Sequence, residues 1–217
     1  MNSKITLVYV YDPLCGWCYG FHPVIDKIAK RFKDQLNIRV IPGGLAIDEN
    51  AQPISEGYDY IRDSLKIVED KTDVKFGKPF VQLAEDGTYI YDSLPGCKAQ
   101  NAVNRLAPVQ ALQFAGAMQS AIFSNGKDLN KLDTYLSILE DFSIDPAEFE
   151  AVFTSDEIEK ITRDQFDWVH QNNASAFPTL LLEIGNDTGL MSKGYRPYDT
   201  VESHLHHLIR NIEKMSS

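Results

Sequence analysis

The sequence predicts an α/β fold in which two strand-containing flanks enclose a long all-helical insertion. The first 45 residues read as strand, helix and strand, and residues 177–217 read as two strands and a helix. Between them, from about residue 54 to residue 172, the hydrophobic periodicity is almost wholly helical. We therefore expect residues 1–48 and 174–217 to form one discontinuous α/β domain, and residues 49–173 to form the inserted helical domain.

The N-terminal flank begins with a buried strand over residues 5–11, which are β-branched and aromatic. Pro13 ends this run because proline cannot donate to a strand ladder. From residue 18 the apolar residues recur on one helical face, and a second strand over residues 36–41 stops at Pro42. A strand–helix–strand unit normally makes a right-handed crossover, so we expect the two strands to be parallel neighbours.

The middle of the chain carries several helix signals. Residues 55–69, 96–123 and 129–142 are periodic, and Pro108 should kink or split the second of these helices. Asp145 followed by Pro146 is typical of an N-cap and a first helical residue. Thr154 and Glu157 have the spacing of a capping box, and residues 88–91 form one short strand-like break.

The C-terminal flank returns to strand patterns. Residues 177–183 are apolar and β-prone, and residues 185–187 (Gly-Asn-Asp) have turn chemistry. Residues 190–194 then form a candidate antiparallel return strand. A final helix with one apolar face follows Pro197.

Composition narrows the functional classes. The chain has 217 residues, and 31 acidic against 21 basic residues give a net charge of −10. This balance argues against a nucleic-acid partner and against binding to an acidic membrane surface. We find neither an apolar run of the ~20 residues that span a bilayer nor a signal-peptide pattern, so we expect a cytoplasmic protein. In that reducing compartment its three cysteines are not expected to be a disulfide scaffold.

The sharpest chemical feature is Cys15-Gly16-Trp17-Cys18, at the junction between the first strand and the first helix. Unpaired backbone N–H groups and the dipole at a helix N-terminus favour an anion, so the Cys15 thiolate should be stabilised there. Cys18 lies one helical turn further on and can resolve a mixed disulfide, which allows a dithiol–disulfide cycle. We expect Gly16 to permit the tight start of the helix and Trp17 to be an exposed aromatic beside the reactive sulfur.

A zinc site is the structural alternative for these cysteines. Zinc usually takes four ligands from paired motifs, whereas Cys18, His22 and Cys97 would be an incomplete cluster. The cysteine spacing therefore favours redox chemistry, and we predict no metal site. We interpret Cys97 as a buried core cysteine rather than a third redox thiol. The three histidines of the last helix are expected to be solvated: His204, His206 and His207.

A second motif, Ala176-Phe177-Pro178-Thr179, places a proline at the head of an apolar strand. The stretches YDPLCGWCYG and AFPTLLL, separated by a long helical segment, together resemble the thioredoxin superfamily. Within it, the chain is most similar to the DsbA-like branch, and especially to cytoplasmic members predicted to be protein disulfide isomerases. The resemblance covers essentially the whole chain and implies a thioredoxin-like fold with an all-helical insertion.

The resemblance also implies roles for individual residues. Cys15 would be the nucleophile and Cys18 the resolving thiol, while Pro178 would be the cis-proline that faces them. Phe177 would offer its backbone to an extended substrate chain, and Trp17 would contact the substrate. The residues expected to support the motif are Gly16, Pro13 and Asp12, the last being a candidate proton relay. The pair Gly16-Trp17 departs from the Pro-His of DsbA itself, so the potential of that strong oxidant does not carry over.

We therefore predict a thiol–disulfide oxidoreductase or isomerase that acts on protein or small-molecule disulfides. It would hold no tightly bound cofactor beyond its redox-active disulfide, with glutathione or another thiol system as the reductant. In the cytosol the dithiol should be the resting state, which favours reduction or isomerisation over net oxidation. Two alternatives stay open: a glutathione-dependent transferase or isomerase of the kappa type, and a redox-sensing protein adaptor.

Overall fold

The chain folds around a mixed four-stranded sheet in a computed structural model that describes residues 5–185 and 187–215. The strands are β1 (Ile5–Tyr11), β2 (Leu36–Pro42), β5 (Thr179–Ile184) and β6 (Asp187–Lys193), in the spatial order β2-β1-β5-β6. β1 is parallel to β2, as predicted, and antiparallel to β5, which pairs antiparallel with β6. The two flanks of the sequence therefore share one sheet, because β1 lies between β2 and β5.

The two flanks of the sequence that supply this sheet also contain two helices. Helix α1 (Gly16–Arg31) connects β1 to β2, and the C-terminal helix α9 (Tyr198–Met215) contacts α1. None of the helices in the described part of the chain is long and apolar enough to cross a membrane.

The segment between β2 and β5 is almost entirely helical, as predicted. A two-residue strand β3 (Gln52–Pro53) pairs antiparallel with an equally short β4 (Ile90–Tyr91). The helices of this segment are α2 (Tyr58–Thr72), α3 (Lys78–Asp86), α4 (Ser93–Leu106), α5 (Ala111–Phe123), α6 (Leu132–Leu139), α7 (Pro146–Phe153) and α8 (Asp156–Gln171). Short 3₁₀ turns occupy Asp48–Asn50, Ile54–Gly57 and Pro108–Gln110.

Helix boundaries follow local chemistry, and several differ from the sequence prediction: α6 is shorter than the predicted 129–142, and α4 begins three residues before the predicted start. Pro108 does split the predicted long helix, and the Asp145 carboxylate does cap α7 by accepting the Glu148 N–H. The predicted Thr154–Glu157 capping box is wrong by one residue, because Ser155 is the N-cap of α8 and accepts the Ile158 N–H. Helix α3 was not predicted from the sequence.

The C-terminal strand pair is shifted from its predicted bounds, because β5 begins at Thr179, two residues after the predicted start, and the return strand is longer than predicted. The return strand β6 begins at Asp187, three residues before the predicted start, and a register shift separates Leu180 from Leu181. Of the predicted turn over residues 185–187, Asn186 lies outside the described residues.

Both faces of β1 are covered. Leu7, Tyr9 and Tyr11 face the larger apolar core, which joins α1 to the helices of the insertion. Val8 and Val10 face a smaller cluster on the other side of the sheet, formed with β2, α8 and β5. The larger core is thus continuous across the boundaries that the sequence suggested at residues 48/49 and 173/174, and a division into two domains stays a prediction.

Candidate active site

Cys15 is the N-cap of α1. Its backbone is extended (φ −80°, ψ 110°), and its sulfur accepts the Cys18 N–H at 3.2 Å. The side chain takes the place of the usual Ser, Thr or Asp cap, so the sulfur points at the free N–H groups of the helix start. Only 6% of the residue is exposed, and its sulfur is a free thiol.

Cys18 has a different environment from Cys15, although both are free thiols. It is completely buried. Burial raises the pKa of the Cys18 thiol well above its usual value, and the neighbouring Cys15 raises it further. Cys18 is therefore protonated at neutral pH and out of reach of a macromolecular substrate.

The two motifs singled out in the sequence meet in space. The Phe177–Pro178 peptide bond is cis, and the Cys15 thiol donates to the Phe177 carbonyl oxygen with an S···O distance of 3.7 Å. The Phe177 ring lies directly against Gly43, where a Cβ would come within 2.1 Å of a ring carbon. The absence of a side chain at residue 43 thus allows the segment before Pro178 to approach the motif.

The neighbours of the two cysteines differ in burial and packing from what the sequence predicted. Trp17 is half-buried rather than fully exposed, with its ring centroid 6.0 Å from that of Tyr195. Pro13 is buried against Gly96 of α4. Gly16 has no positive φ, and an added Cβ would lie 3.4 Å from the Phe76 ring, an ordinary van der Waals distance, so neither backbone freedom nor space requires a glycine there.

A groove of about 510 Å³ opens beside Cys15. The motif and the segment before Pro178 contribute part of its wall. Most of the rest comes from α2, with further residues from the loop after β2, from β4 and from α5. Its lining residues are Leu14, Cys15, Gly16, Trp17, Leu45, Gly57, Tyr60, Ile61, Ser64, Leu65, Val68, Tyr91, Phe123, Ser175, Ala176 and Phe177. None of these side chains is charged.

The sequence analysis missed the residues that line this groove outside the motifs. Leu45 and Tyr60 are large apolar side chains that are 47% and 80% exposed, respectively. Ile61 and Leu65 belonged to a helical stripe that is typical of core residues. Nothing in that periodicity distinguishes a stripe that faces a groove from one that faces a core, so the pattern alone could not identify them.

The other candidate residues lie apart from the groove. Cys97 is completely buried, as expected of a core cysteine, and burial raises the pKa of its thiol well above the usual value. His204 and His207 are exposed, as expected, but His206 is half-buried, with its ring centroid 4.8 Å from that of Phe32. Across residues 5–185 and 187–215, no three His, Cys, Asp or Glu side chains are placed to hold a metal ion.

A family model described as the DSBA-like thioredoxin domain matches residues 6–206. The chain belongs to this family. The match covers both cysteines, the whole helical insertion and the strands on either side, and it confirms the predicted thioredoxin-like fold with a helical insertion.

Solved structures show the same arrangement as this DsbA-like chain. A proposed protein disulfide isomerase from Nitrosomonas europaea is 29% identical, with a TM-score of 0.86 over 96% of this chain and 99% of that one. The cytosolic disulfide reductase DsbM from Pseudomonas aeruginosa is 24% identical, with a TM-score of 0.79 over 94% of this chain and 98% of that one. DsbM has also been solved with GSH, and that structure has a TM-score of 0.77 and 23% identity.

Among curated proteins, the DsbA-like chain is similar to the ClpXP adapter protein SpxH of Bacillus subtilis. The two are 24% identical over 216 residues, which cover 96% of this chain and 69% of that relative.

Proposed function

We propose that the chain catalyses thiol–disulfide exchange, with Cys15 as the nucleophile and Cys18 as the resolving thiol. The observation that carries this proposal is the asymmetry of the two sulfurs. The Cys15 sulfur caps α1 at the edge of an open groove and contacts the Phe177 carbonyl, whereas Cys18 is completely buried. Only Cys15 can therefore meet a disulfide from outside.

The first step is attack by the Cys15 thiolate on one sulfur of a substrate disulfide. A Cys15–substrate disulfide forms, the substrate S–S bond breaks, and the departing thiolate takes up a proton. The Cys18 N–H already donates to the Cys15 sulfur at 3.2 Å, and this contact stabilises the negative charge that the attack requires.

In the second step, the disulfide between Cys15 and the substrate is replaced by one between Cys15 and Cys18. Cys18 attacks the Cys15 sulfur, the Cys15–Cys18 disulfide forms, and the substrate leaves as its second thiol with the proton that Cys18 gives up. The substrate has then gained two electrons, and the Cys15–Cys18 pair has lost them. Burial raises the pKa of Cys18, so this thiol stays protonated while the mixed disulfide forms on Cys15. It gives up its proton only in the second step.

A cellular thiol must return the pair to the dithiol state. We propose a cytoplasmic setting in which reduction or isomerisation of substrates predominates, with glutathione or another thiol system as the reductant. The likeness to a cytosolic disulfide reductase, solved also with GSH, supports this direction. No tightly bound cofactor is required, because the electrons reside in the two cysteines.

The groove beside Cys15 is the proposed substrate site. Its uncharged, largely apolar lining suits the segment that flanks a cysteine in a protein or peptide. Phe177 and Pro178 would present their backbone to this segment in the manner of an added strand, and Trp17 would contact it from the motif side. Binding of this kind tolerates many sequences, as a general oxidoreductase requires.

Turnover of an insulin disulfide tests the proposal. Wild type should reduce insulin with glutathione or dithiothreitol as the electron source, and Cys15→Ser should fall to the uncatalysed rate. Cys18→Ala keeps the nucleophile but lacks the resolving thiol, so it should accumulate a mixed disulfide that mass spectrometry detects. Equal activity in wild type and Cys15→Ser would refute the proposal.

An adaptor that delivers a partner protein is the second candidate, and the similarity to SpxH favours it. The same Cys18→Ala variant separates the two functions when it is used as a trap in cells. Many different disulfide-linked clients would support the enzyme. A single stoichiometric partner, bound equally by wild type and Cys18→Ala and stable to reductant, would support the adaptor.

A further inference from the structure

Asp12 is a completely buried carboxylate three residues before Cys15. Its Oδ1 accepts the Leu14 N–H and the Ser93 hydroxyl, both at 2.9 Å. Its Oδ2 accepts the Leu45 N–H at 2.7 Å and the Cys97 thiol at 3.8 Å. In these four contacts each oxygen accepts from one backbone N–H and one side-chain donor, and the Gly44 backbone N–H also favours the carboxylate.

These donors come from three separate segments of the chain. Leu14 belongs to the turn that leads into Cys15, and Leu45 belongs to the loop after β2. Ser93 and Cys97 belong to α4 of the insertion, and Ser93 also exchanges two hydrogen bonds with Ala46, at 2.7 and 3.1 Å. The Asp12 carboxylate thus joins the motif and the loop to the insertion.

Two of these segments are walls of the groove. Leu14 and Cys15 line one part of it, and Leu45 lines another. The loop that carries Leu45 also includes Gly43, whose backbone packs against the Phe177 ring. A movement of this loop would therefore alter both the groove and the Phe177 carbonyl that faces Cys15.

We propose that Asp12 is a positioning residue that sets the geometry of the groove by fixing Leu14 and Leu45 to one carboxylate. This inference rests on the proposed function and assigns a role in substrate binding rather than in the chemical step. Asn cannot replace Asp here. In either orientation its NH₂ group would face a backbone N–H, either that of Leu14 or that of Leu45. An unmatched donor pair in a buried site costs more than the loss of one hydrogen bond.

The ionised form of Asp12 fits the site for the same reason. Burial raises the pKa of the Asp12 carboxyl, and hydrogen bonds from Leu45, Leu14 and Ser93 act in the opposite direction by favouring the carboxylate. The hydrogen bonds of the Asp12 carboxylate among the described residues do not include one to the Cys15 sulfur, so its replacement by an amide should not slow the reaction of Cys15 itself. Effects on substrate binding and on the reactivity of Cys15 should therefore be separable.

The test compares Asp12→Asn with Asp92→Asn. Asp92 caps α4 by accepting the Leu94 N–H, and Asn is an equally good cap, so this control makes the same chemical change without disturbing the groove. For Asp12→Asn, KM for insulin should rise about three- to tenfold, the size expected when one or two positioning hydrogen bonds are lost. Its rate with 5,5′-dithiobis-(2-nitrobenzoate), a small disulfide that needs only Cys15, should be equal to or faster than that of wild type.

The control should match wild type in both assays. An unchanged KM in Asp12→Asn, or losses of equal size with both disulfides, would overturn the inference and leave a merely structural role. A wild type without disulfide reductase activity would instead contradict the proposed function.

Hydrogen exchange in the wild-type protein tests the geometry without any variant, and so covers the case in which Asp12→Asn does not fold. The Leu14 and Leu45 amides lie outside helices and strands and have the Asp12 carboxylate as their acceptor. We expect both to exchange at least about tenfold more slowly than their intrinsic rates. Exchange at the intrinsic rate would show that the carboxylate does not hold them, whatever the activity of the protein.

Discussion

Gly43 is the residue that lets the cysteine motif and the proline segment meet. The Phe177 ring fills the space where a side chain at residue 43 would lie, with ring carbons 2.1 and 2.2 Å from the position of a Cβ. Since Gly43 has no positive φ, its backbone conformation is open to any residue. The requirement for glycine at this position is therefore one of space alone.

Gly43→Ala should consequently destabilise the protein by overpacking. We expect a loss of about 1–3 kcal/mol in the free energy of unfolding, measured by urea denaturation, together with slower insulin reduction as Phe177 is displaced. Gly189→Ala is the matched control, because a Cβ there meets nothing within 4 Å and β6 is exposed. If the two variants unfold at the same urea concentration, Phe177 does not depend on Gly43.

At the scale of elements, N-cap residues decide where the helices begin, and a shift of one residue changes which side chain forms the cap. The Ser155 hydroxyl accepts the Ile158 N–H at the start of α8, whereas the neighbouring Thr154 hydroxyl donates back to the Glu150 carbonyl at the end of α7. The Ser155 hydroxyl also donates back to the Val152 carbonyl at 2.7 Å, so the two side chains differ in one respect: only Ser155 caps the helix that follows.

Ser155→Ala should lower the free energy of unfolding by about 1 kcal/mol, the usual cost of losing an N-cap. Thr154→Ala should cost less than about 0.5 kcal/mol, because Thr154 is exposed and its bond does not cap α8. Chemical denaturation of both variants beside wild type measures the difference. A larger loss in Thr154→Ala would restore the capping box that the sequence spacing suggested.

The same elements show how far sequence reasoning reaches. Hydrophobic periodicity and the positions of proline and turn residues predicted β1, α1, β2, the split at Pro108 and the final strand pair. Each of these depends on residues that are near one another in the sequence. The cap of α8 was misplaced by one residue because Thr154 and Ser155 are adjacent and both belong to the residue types preferred at an N-cap.

The candidate site, too, could be predicted only in part from the sequence. The Cys15–Cys18 spacing and the proline at 178 are local features, so the sequence alone predicted a site built from both, and the structure brings the two motifs together. The donors that converge on Asp12 are 2, 33, 81 and 85 residues away along the chain, so no spacing rule could reveal them. The groove was missed because its α2 wall is built from residues distant from both motifs.

At the scale of the whole molecule, the contact between α1 and α5 joins the sheet-forming flank to the insertion. His22 of α1 packs against Gly116 of α5, where a Cβ would come within 2.0 Å of the imidazole Nε2. The Nδ1 atom is buried without a hydrogen-bond partner. Burial lowers the pKa of His22 by more than the neighbouring Asp26 raises it.

This interface should make the global stability dependent on pH. The unfolded chain takes up a proton at His22 near pH 6.5, whereas the folded protein resists it, so acid favours the unfolded state. The stabilising effect of the neutral imidazole is complete above about pH 6.5 and is lost as the pH falls through the lower pKa of the folded state. Urea denaturation of wild type and His22→Gln between pH 7.5 and 5 should show a smaller acid loss in the variant. Parallel curves would mean that the imidazole is not buried as a neutral group.

The groove beside Cys15 has a consequence for how the proposed function could diversify. The proposed nucleophile is encoded at codon 15, whereas one wall of the groove is encoded between codons 60 and 68, in a helix that contributes nothing to the four-stranded sheet. Under the proposed function, mutations in that stretch would alter which disulfides are admitted while Cys15 and Cys18 stay unchanged. Part of the selectivity would then evolve separately from the reacting cysteines.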